Sequence, residues 1–501
     1  KIDILFLDRE FEHDVYELIK AFYPEAEIHT LYDEAEAGEY DLRFRVEREN
    51  ETYKISYDRR ENVTAGFTER KGVASADVIG EDKLTVKDPH ALRKENKDAL
   101  KYALYQLLVK LTGRTLPWGN LTGIRPAKLA MGMIESGMKN TEAAREMREK
   151  YLVSPEKTAL AVTIANRERE ILKDIDYENG YSLYIGIPFC PSICLYCSFS
   201  SYPLKVWEKR TDEYVEALCK EIRETAFLMQ GRKLDTIYIG GGTPTTLLPH
   251  QLRKLLDTLG EAFGYEGLAE FTIEAGRPDS ITREKLQAIR EYPVTRISVN
   301  PQTMNQETLD LIGRRHTVEQ TREAFYLARE LGYDNINMDL IVGLPGEDRK
   351  MVEHTLDEVK ALAPDSVTVH SLAVKRAARL NIFKDRYQEM TFENNQEIMD
   401  MTMRTACEMD MGPYYLYRQK NMKGNFENVG YAKVDKAGIY NILIMEEKQP
   451  IIALGAGGSS KLVFDHGKRI ERVENVKDVT NYIERIDEMI ERKRKGINTW
   501  L

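Results

Sequence analysis

Three of the chain's five cysteines fall within eight residues, in the run Cys190-Pro191-Ser192-Ile193-Cys194-Leu195-Tyr196-Cys197. Thiolates are soft ligands for zinc and for iron–sulfur clusters. A four-iron cluster is normally held by four of them, so a local set of three spaced C-x3-C-x2-C leaves one iron open to a ligand that is also a reactant. The plainer alternatives are a zinc site and simple packing. Zinc knots draw two Cys or His knuckles from separate places, and no histidine lies near this run. Buried cysteines act as small apolar residues, but three in one proline-containing turn are more than packing requires. The spacing therefore favours a cluster.

The elements around the run must bring other chemistry to it. Ser182 to Ile187, closed by Pro188, reads as a buried parallel strand, which sets the thiols on the loop leaving a strand's carboxyl end. Functional groups collect at such ends in α/β proteins. A second strand ends in Gly240-Gly241-Gly242-Thr243-Pro244-Thr245, where glycines allow close backbone approach and exposed N–H groups could bind a carboxylate. Glu274 and Asp339, also at strand ends, can accept from hydroxyls or an ammonium, and Arg314 can pair with a carboxylate.

Strand and helix patterns alternate from 181 to 373, with strands expected near 182–187, 234–239, 270–274, 294–299, 335–341 and 366–371. Six β/α units predict an α/β fold with a parallel barrel or open parallel sheet. Before them, residues 1 to about 60 read as a small α/β module, and 90–112 as a helix closed by Gly113. Trp118 to Pro126 reads as a packed turn-rich linker into another helix, with further helices near 141–150 and 155–173. The polar stretch Asp174 to Gly180 suggests a boundary, giving three expected segments: 1–176, 177–373, and a mixed C-terminal region, 374–501, with a charged helix near 477–494.

The chain resembles the radical S-adenosylmethionine (SAM) superfamily and, within it, the oxygen-independent coproporphyrinogen III oxidase family. The runs that carry this are Tyr184 to Cys190, Gly240 to Thr245, Ile273-Glu274, Ser298 to Gln302, Gly313-Arg314-Arg315-His316-Thr317 and Asn337 to Pro345. Trp118 to Pro126 and Tyr414-Tyr415-Leu416-Tyr417-Arg418-Gln419-Lys420-Asn421 are similar to the HemZ-type subgroup. The resemblance implies a partial (β/α)6 barrel with a [4Fe-4S] cluster on Cys190, Cys194 and Cys197. It also implies SAM, in one or two copies, at Tyr184, Tyr196, Gly241, Gly242, Thr243, Glu274, Gln302, Arg314, Asp339 and Ala373, with Tyr184, Glu274 and Arg314 at the catalytic centre. The family's founding members carry histidine where this chain has Gly186 and phenylalanine where it has Tyr196. Those members bind two copies, so these departures bear on the second.

The implied reaction is oxidative decarboxylation of coproporphyrinogen III to protoporphyrinogen IX, with an electron donor and an electron acceptor as partners. Four substrate carboxylates call for cations, for which Arg314, Arg315, Lys375, Arg376, Arg379, Arg418, Lys420 and Lys423 are candidates. Two rivals share the barrel: a haem-binding chaperone, and a radical SAM enzyme acting on haem. Against the chaperone, the chain has no histidine between His370 and His466.

Charge and composition exclude other classes. The count of 72 Lys and Arg against 82 Asp and Glu leaves −10, which does not favour nucleic acid. Five cysteines make no disulfide framework, no apolar run reaches membrane length, and Lys1 to Arg9 lacks a signal pattern, so a cytoplasmic enzyme is expected. The run Gly455 to Ser460, after the apolar strand expected over Ile451 to Leu454, matches neither a dinucleotide fingerprint nor a phosphate loop, though the resemblance sets it near the cofactor. Cys219 and Cys407 are expected to pack in helices, Tyr414, Tyr415 and Tyr417 to be core or interface residues or else to line an aromatic macrocycle, and His250, His354 and His370 to be structural.

Overall fold

The computed structural model describes residues 1–34, 39–49, 52–63, 66–77, 89–123, 125–199, 201–373, 394–418 and 426–500. The chain divides into two compact units, Lys1–Ala165 with Arg418–Phe426, and Asn166–Tyr417 with Glu427–Leu501.

The first unit is built on a five-stranded sheet in the order β2-β1-β3-β4-β5, with β1 Ile2–Phe6, β2 Ile28–Leu31, β3 Leu42–Glu49, β4 Thr52–Val63 and β5 Gly66–Asp77. β1 runs parallel to β2 and β3, and β3 to β5 form an antiparallel meander. The alternation in β3 turns Leu42, Phe44 and Val46 inward, the period-two pattern of a sheet with one buried face. They pack with Val15, Leu18 and Phe22 of the helix Glu12–Phe22 and with Leu104 and Leu108 of the helix Pro89–Thr112. Gly113 ends the latter helix at φ +67°. The start of the expected linker is packed: Trp118 is fully buried, and the Asn120 N–H donates to the Tyr151 carbonyl at 3.0 Å.

In the second unit, six parallel strands follow one another: β6 Gly180–Ile187, β9 Lys233–Gly241, β10 Glu270–Glu274, β11 Arg296–Ser298, β12 Ile336–Val342 and β13 Ser366–Ser371. Between β6 and β9 lies a short parallel pair, β7 Phe189–Cys190 and β8 Tyr202–Pro203. Helices fill the crossovers, among them Thr211–Leu228, Pro249–Phe263 and Arg349–Leu362. Every expected parallel strand is present within a few residues of its predicted place.

The later residues extend this sheet at both sides, which the sequence pattern did not reveal. β14 Gly412–Tyr417 and β15 Asn428–Ala432 add antiparallel strands beyond β13, and β16 Ile451–Leu454 pairs parallel to β6. β17 Ser459–Phe464 and β18 Arg469–Glu474 complete an eleven-stranded sheet. Among the described residues the sheet is open, with β14 and β18 at its edges. The single helix expected near 477–494 is two, Val479–Glu484 and Ile486–Trp500. Among the described residues no helix is long and apolar enough to cross a membrane.

One buried ion pair ties β16 to the helices behind it. Glu221 and Lys493 lie 3.2 Å apart with side chains 0% and 1% exposed. Glu221 also accepts from the Gly455 N–H at 2.9 Å, Tyr482 Oη at 2.6 Å and Asn475 Nδ2 at 2.8 Å, while Lys493 Nζ reaches the Ala453 carbonyl at 2.7 Å. Breaking such a pair strands a buried charge. Glu221→Ala is therefore expected to lower the unfolding free energy by about 3–5 kcal/mol in urea denaturation; a loss within about 1 kcal/mol would show that the pair contributes little.

Candidate active site

The loop leaving β6 carries the three thiols, and two further loops fix its path. The N–H groups of Gly242 and Thr243 donate to the carbonyls of Ile187 and Phe189, each at 2.7 Å, and the Leu195 N–H donates to the Ile312 carbonyl at 2.8 Å. The expectation that N–H groups of the glycine run bind a ligand carboxylate is thus corrected at these two residues. They fasten the backbone that precedes Cys190. Gly241 sits at φ +107°, and a Cβ on Gly242 would stand 2.6 Å from the Phe189 carbonyl oxygen, so the close crossing needs glycine.

Around the thiols, Thr243 Oγ1 donates to Cys190 Sγ at 3.6 Å, and Arg277 Nη1 to Cys194 Sγ at 3.6 Å. Arg314 Nη1 lies 4.0 Å from the same sulfur and 3.3 Å from the Tyr196 hydroxyl. Burial pushes the Cys190 thiol up to about 11, offset in part by the Thr243 hydrogen bond and raised further by Cys194 and Cys197. Iron would therefore have to displace its proton. Among the described residues no three Cys, His, Asp or Glu side chains converge on one metal ion. A four-iron cluster does not need them to, because each cysteine takes a different iron. Three neighbouring thiols on one loop, with N–H and O–H donors already aimed at their sulfurs, fit a cluster better than a zinc ion.

A second group of residues is drawn from β6, β9, β10 and β12; Glu274 is the last residue of β10, but Asp339 is the fourth of the seven residues of β12 rather than at its end as expected. Tyr184, Tyr238 and Tyr440 stack, with Tyr238 and Tyr440 centroids 4.5 Å apart and Tyr184 6.3 Å from Tyr238. The Tyr238 hydroxyl donates to Glu274. Burial raises Glu274 to about 7; the Tyr238 hydrogen bond opposes the shift, and the negative charge of Asp339 adds to it. Asp339 goes the other way. Burial pushes it up, but His370, Asn337 and Arg296 together hold it below the ordinary carboxylate value. It accepts from Asn300 Nδ2 at 2.9 Å and Asn337 Nδ2 at 2.7 Å, with His370 Nε2 at 3.9 Å. Two carboxyl groups set apart in this way can play different roles near neutral pH, one a fixed anion and the other able to donate or accept.

Asn300 connects the two groups, since its carbonyl accepts from Arg314 Nη2 while its side chain holds Asp339. Gln302 lies beside it at φ +69°, an unusual backbone for a residue with a side chain, fixed by bonds from its N–H to the Asp339 carbonyl and from the Ile341 N–H to its own carbonyl. Gln302 Oε1 and Arg314 Nε are both buried without a protein partner. Such orphaned atoms mark where a polar ligand is expected, and they fit the amino-acid end of SAM. Ala373 stands just past β13.

Other expectations divide. Arg418 is buried and donates to the Leu121 carbonyl at 2.8 Å, while Arg315 is exposed. Lys375, Arg376, Arg379, Lys420 and Lys423 lie outside the described residues. Cys219 is buried as expected, whereas Cys407 is exposed rather than packed. Tyr414 and Tyr415 are core residues, and Tyr417 is half-buried with its hydroxyl 3.2 Å from His370 Nδ1. His370, set aside as structural, thus faces Asp339. Sequence reasoning also passed over Arg277, Tyr238 and Tyr440. Only Arg277 carried a signal, an arginine three residues after a strand-end glutamate with an aspartate two residues beyond.

The family model of the radical SAM superfamily matches residues 184–359. The chain is 41% identical over 406 residues to the oxygen-independent coproporphyrinogen-III oxidase-like protein HemZ of Bacillus subtilis, covering 80% of this chain and 81% of that one. It is also 40% identical over 195 residues to the heme chaperone HemW of the same organism, a match that spans 39% of this chain and about half, 51%, of that relative. Among solved structures, coproporphyrinogen III oxidase HemN from Escherichia coli superposes with a TM-score of 0.51 at 25% identity, over 64% of this chain and 72% of that one.

Two measurements test the site. Alanine at Cys190, Cys194 or Cys197 is expected to abolish iron and acid-labile sulfide after anaerobic reconstitution, while Cys219→Ala and Cys407→Ala retain both. Because the folded value of Glu274 lies above its ordinary 4.5, its protonated form favours the fold. That stabilisation is complete below about pH 4.5 and is lost as pH rises to about 7, on the order of 3 kcal/mol for a shift of this size. Urea midpoints of the wild type and Glu274→Gln should therefore diverge in favour of the variant across this window and run parallel above it; curves parallel throughout would refute the assignment.

Proposed function

The chain belongs to the oxygen-independent coproporphyrinogen III oxidase-like group of the radical SAM superfamily, and from that premise we propose that it decarboxylates coproporphyrinogen III to protoporphyrinogen IX without oxygen. The observation that carries the reading is the 41% identity to HemZ along four fifths of both chains. Each of two propionates loses one hydrogen atom, carbon dioxide and one further electron, which passes to an acceptor, and becomes a vinyl group.

Family membership implies a [4Fe-4S] cluster and SAM, which when bound supply a 5′-deoxyadenosyl radical able to take a hydrogen from the propionate carbon β to the carboxylate. Cys190, Cys194 and Cys197 would hold the cluster. Gln302 and Arg314, with their buried orphaned atoms, would receive the polar groups of SAM's methionine portion, and Asp339 would offer a fixed carboxylate to its ammonium or ribose hydroxyls. Tyr184, stacked on Tyr238, presents an aromatic wall that keeps water from the reacting carbon. Glu274, held near neutrality by burial, can give or accept a proton at the same rim. The exposed Arg315 is the candidate cation for a substrate carboxylate.

Haem carriage is the competing reading, favoured by the 40% identity to HemW over the shared half of that relative. The test is an anaerobic reaction of reconstituted protein with SAM, a reductant, an electron acceptor and coproporphyrinogen III, analysed by chromatography. The expected result is 5′-deoxyadenosine together with divinyl product, both absent with Cys194→Ala. 5′-Deoxyadenosine with unchanged porphyrinogen, and tight stoichiometric haem binding in a parallel titration, would overturn the decarboxylase reading in favour of haem.

A further inference from the structure

Arg277 is 3% exposed and follows the strand-end Glu274 by three residues. A guanidinium has five N–H donors in a rigid fork, and a buried one must place them all. Here five contacts are made. Nε and Nη2 bind the two oxygens of Asp279 at 3.0 and 2.8 Å, a bidentate pair. Nη2 also reaches Ser192 Oγ, and Nη1 the Ser192 carbonyl, both at 3.1 Å. The remaining contact runs from Nη1 to Cys194 Sγ at 3.6 Å. Ser192 is itself fixed, its hydroxyl donating to the Gly313 carbonyl at 2.8 Å. The fork is therefore locked by four oxygen contacts, and its last donor points at a cluster-ligand sulfur.

Hydrogen bonds to cluster sulfurs and local net charge are among the protein's means of setting an iron–sulfur potential. Adding an electron makes the cluster and its thiolates more negative, so a cationic donor at a sulfur stabilises the reduced state more than the oxidised one. Asp279 lies on the far side of the guanidinium and partly cancels its charge. We propose that the Arg277–Asp279 pair tunes the reduction potential of the cluster through Cys194, with the arginine raising it and the aspartate limiting the rise. Arg277 is a positioning residue in this scheme, because it acts on the reaction only through the cysteine. The proposal rests on the family's cluster and not on the choice of porphyrin, so failure of the decarboxylase reading leaves its test intact.

The couple is a one-electron reduction with no bond made or broken, the electron coming from dithionite through redox mediators. The experiment is an anaerobic potentiometric titration of the full-length reconstituted protein without SAM, followed by the paramagnetic signal of the reduced cluster. Arg277→Gln is expected to lower the equilibrium constant for reduction by about tenfold, a downward displacement of about 59 mV. Asp279→Asn, which leaves the guanidinium charge uncompensated, is expected to displace it upward by a similar amount. Arg277→Lys, which keeps the charge but not the fork, should fall between Arg277→Gln and the wild type. A residue that only braces the loop would not give displacements of opposite sign. Unchanged potentials, or displacements in the same direction for the glutamine and asparagine variants, overturn the proposal. Should Arg277→Gln fail to hold iron, the Asp279→Asn titration decides, and an undisplaced midpoint there is equally fatal.

Discussion

A loop that carries three neighbouring thiols cannot be held by a regular strand ladder throughout, because its backbone must turn to bring each sulfur into one region. The remainder of this site follows from that constraint. Support comes from outside the loop: the N–H groups of Gly242 and Thr243 grip the segment ahead of Cys190, Ile312 accepts from Leu195, and Arg277 clasps Ser192. Three different crossovers thus converge on the segment Ile187 to Leu195. Gly242 and Thr243 lie on the loop leaving β9 and Arg277 on the loop leaving β10, while Ile312 caps the helix Gln306–Leu311, and pairing of β6 with β9 brings the first of these into register.

The same end of the sheet separates two acids that the sequence alone presents as equals. Glu274 has a phenol and a neighbouring carboxylate for company and is held near neutrality, whereas Asp339 has two amides and an imidazole and remains an anion. Residue type does not determine these roles. They depend on which strands are adjacent, since Asn300 follows β11 and His370 lies in β13, on either side of Asp339 in β12.

The parallel strands were legible because each is a short apolar run bounded by turn residues, and the thiol loop because its spacing is rare. The flanking strands, apart from β16, were not. β14 and β15 carry tyrosines and glycines that read equally well as loop, whereas β16 was legible as the apolar run Ile451 to Leu454, though its pairing with β6 was not. The tyrosine stack was hidden for another reason: Tyr440 lies about two hundred residues beyond Tyr238, and no local pattern reports a contact of that kind. Arg277 stood in plain view, yet one charged residue in a loop signals nothing until its burial is known. The glycine run was read as a close approach to a ligand, because sequence cannot distinguish an N–H aimed at a small molecule from one aimed at the chain itself.

The pairing of β16 with β6 has a consequence for how the molecule is made. Ser182 pairs with Ile451, roughly 270 residues later in the chain, so one side of the strand leading to the thiol loop has no neighbour until most of the polypeptide has left the ribosome. An uncovered strand edge invites pairing with other chains. During synthesis, that edge closes only after every residue that braces the thiol loop has already been made. Iron delivered earlier would meet a nascent chain whose sheet is still open beside the loop.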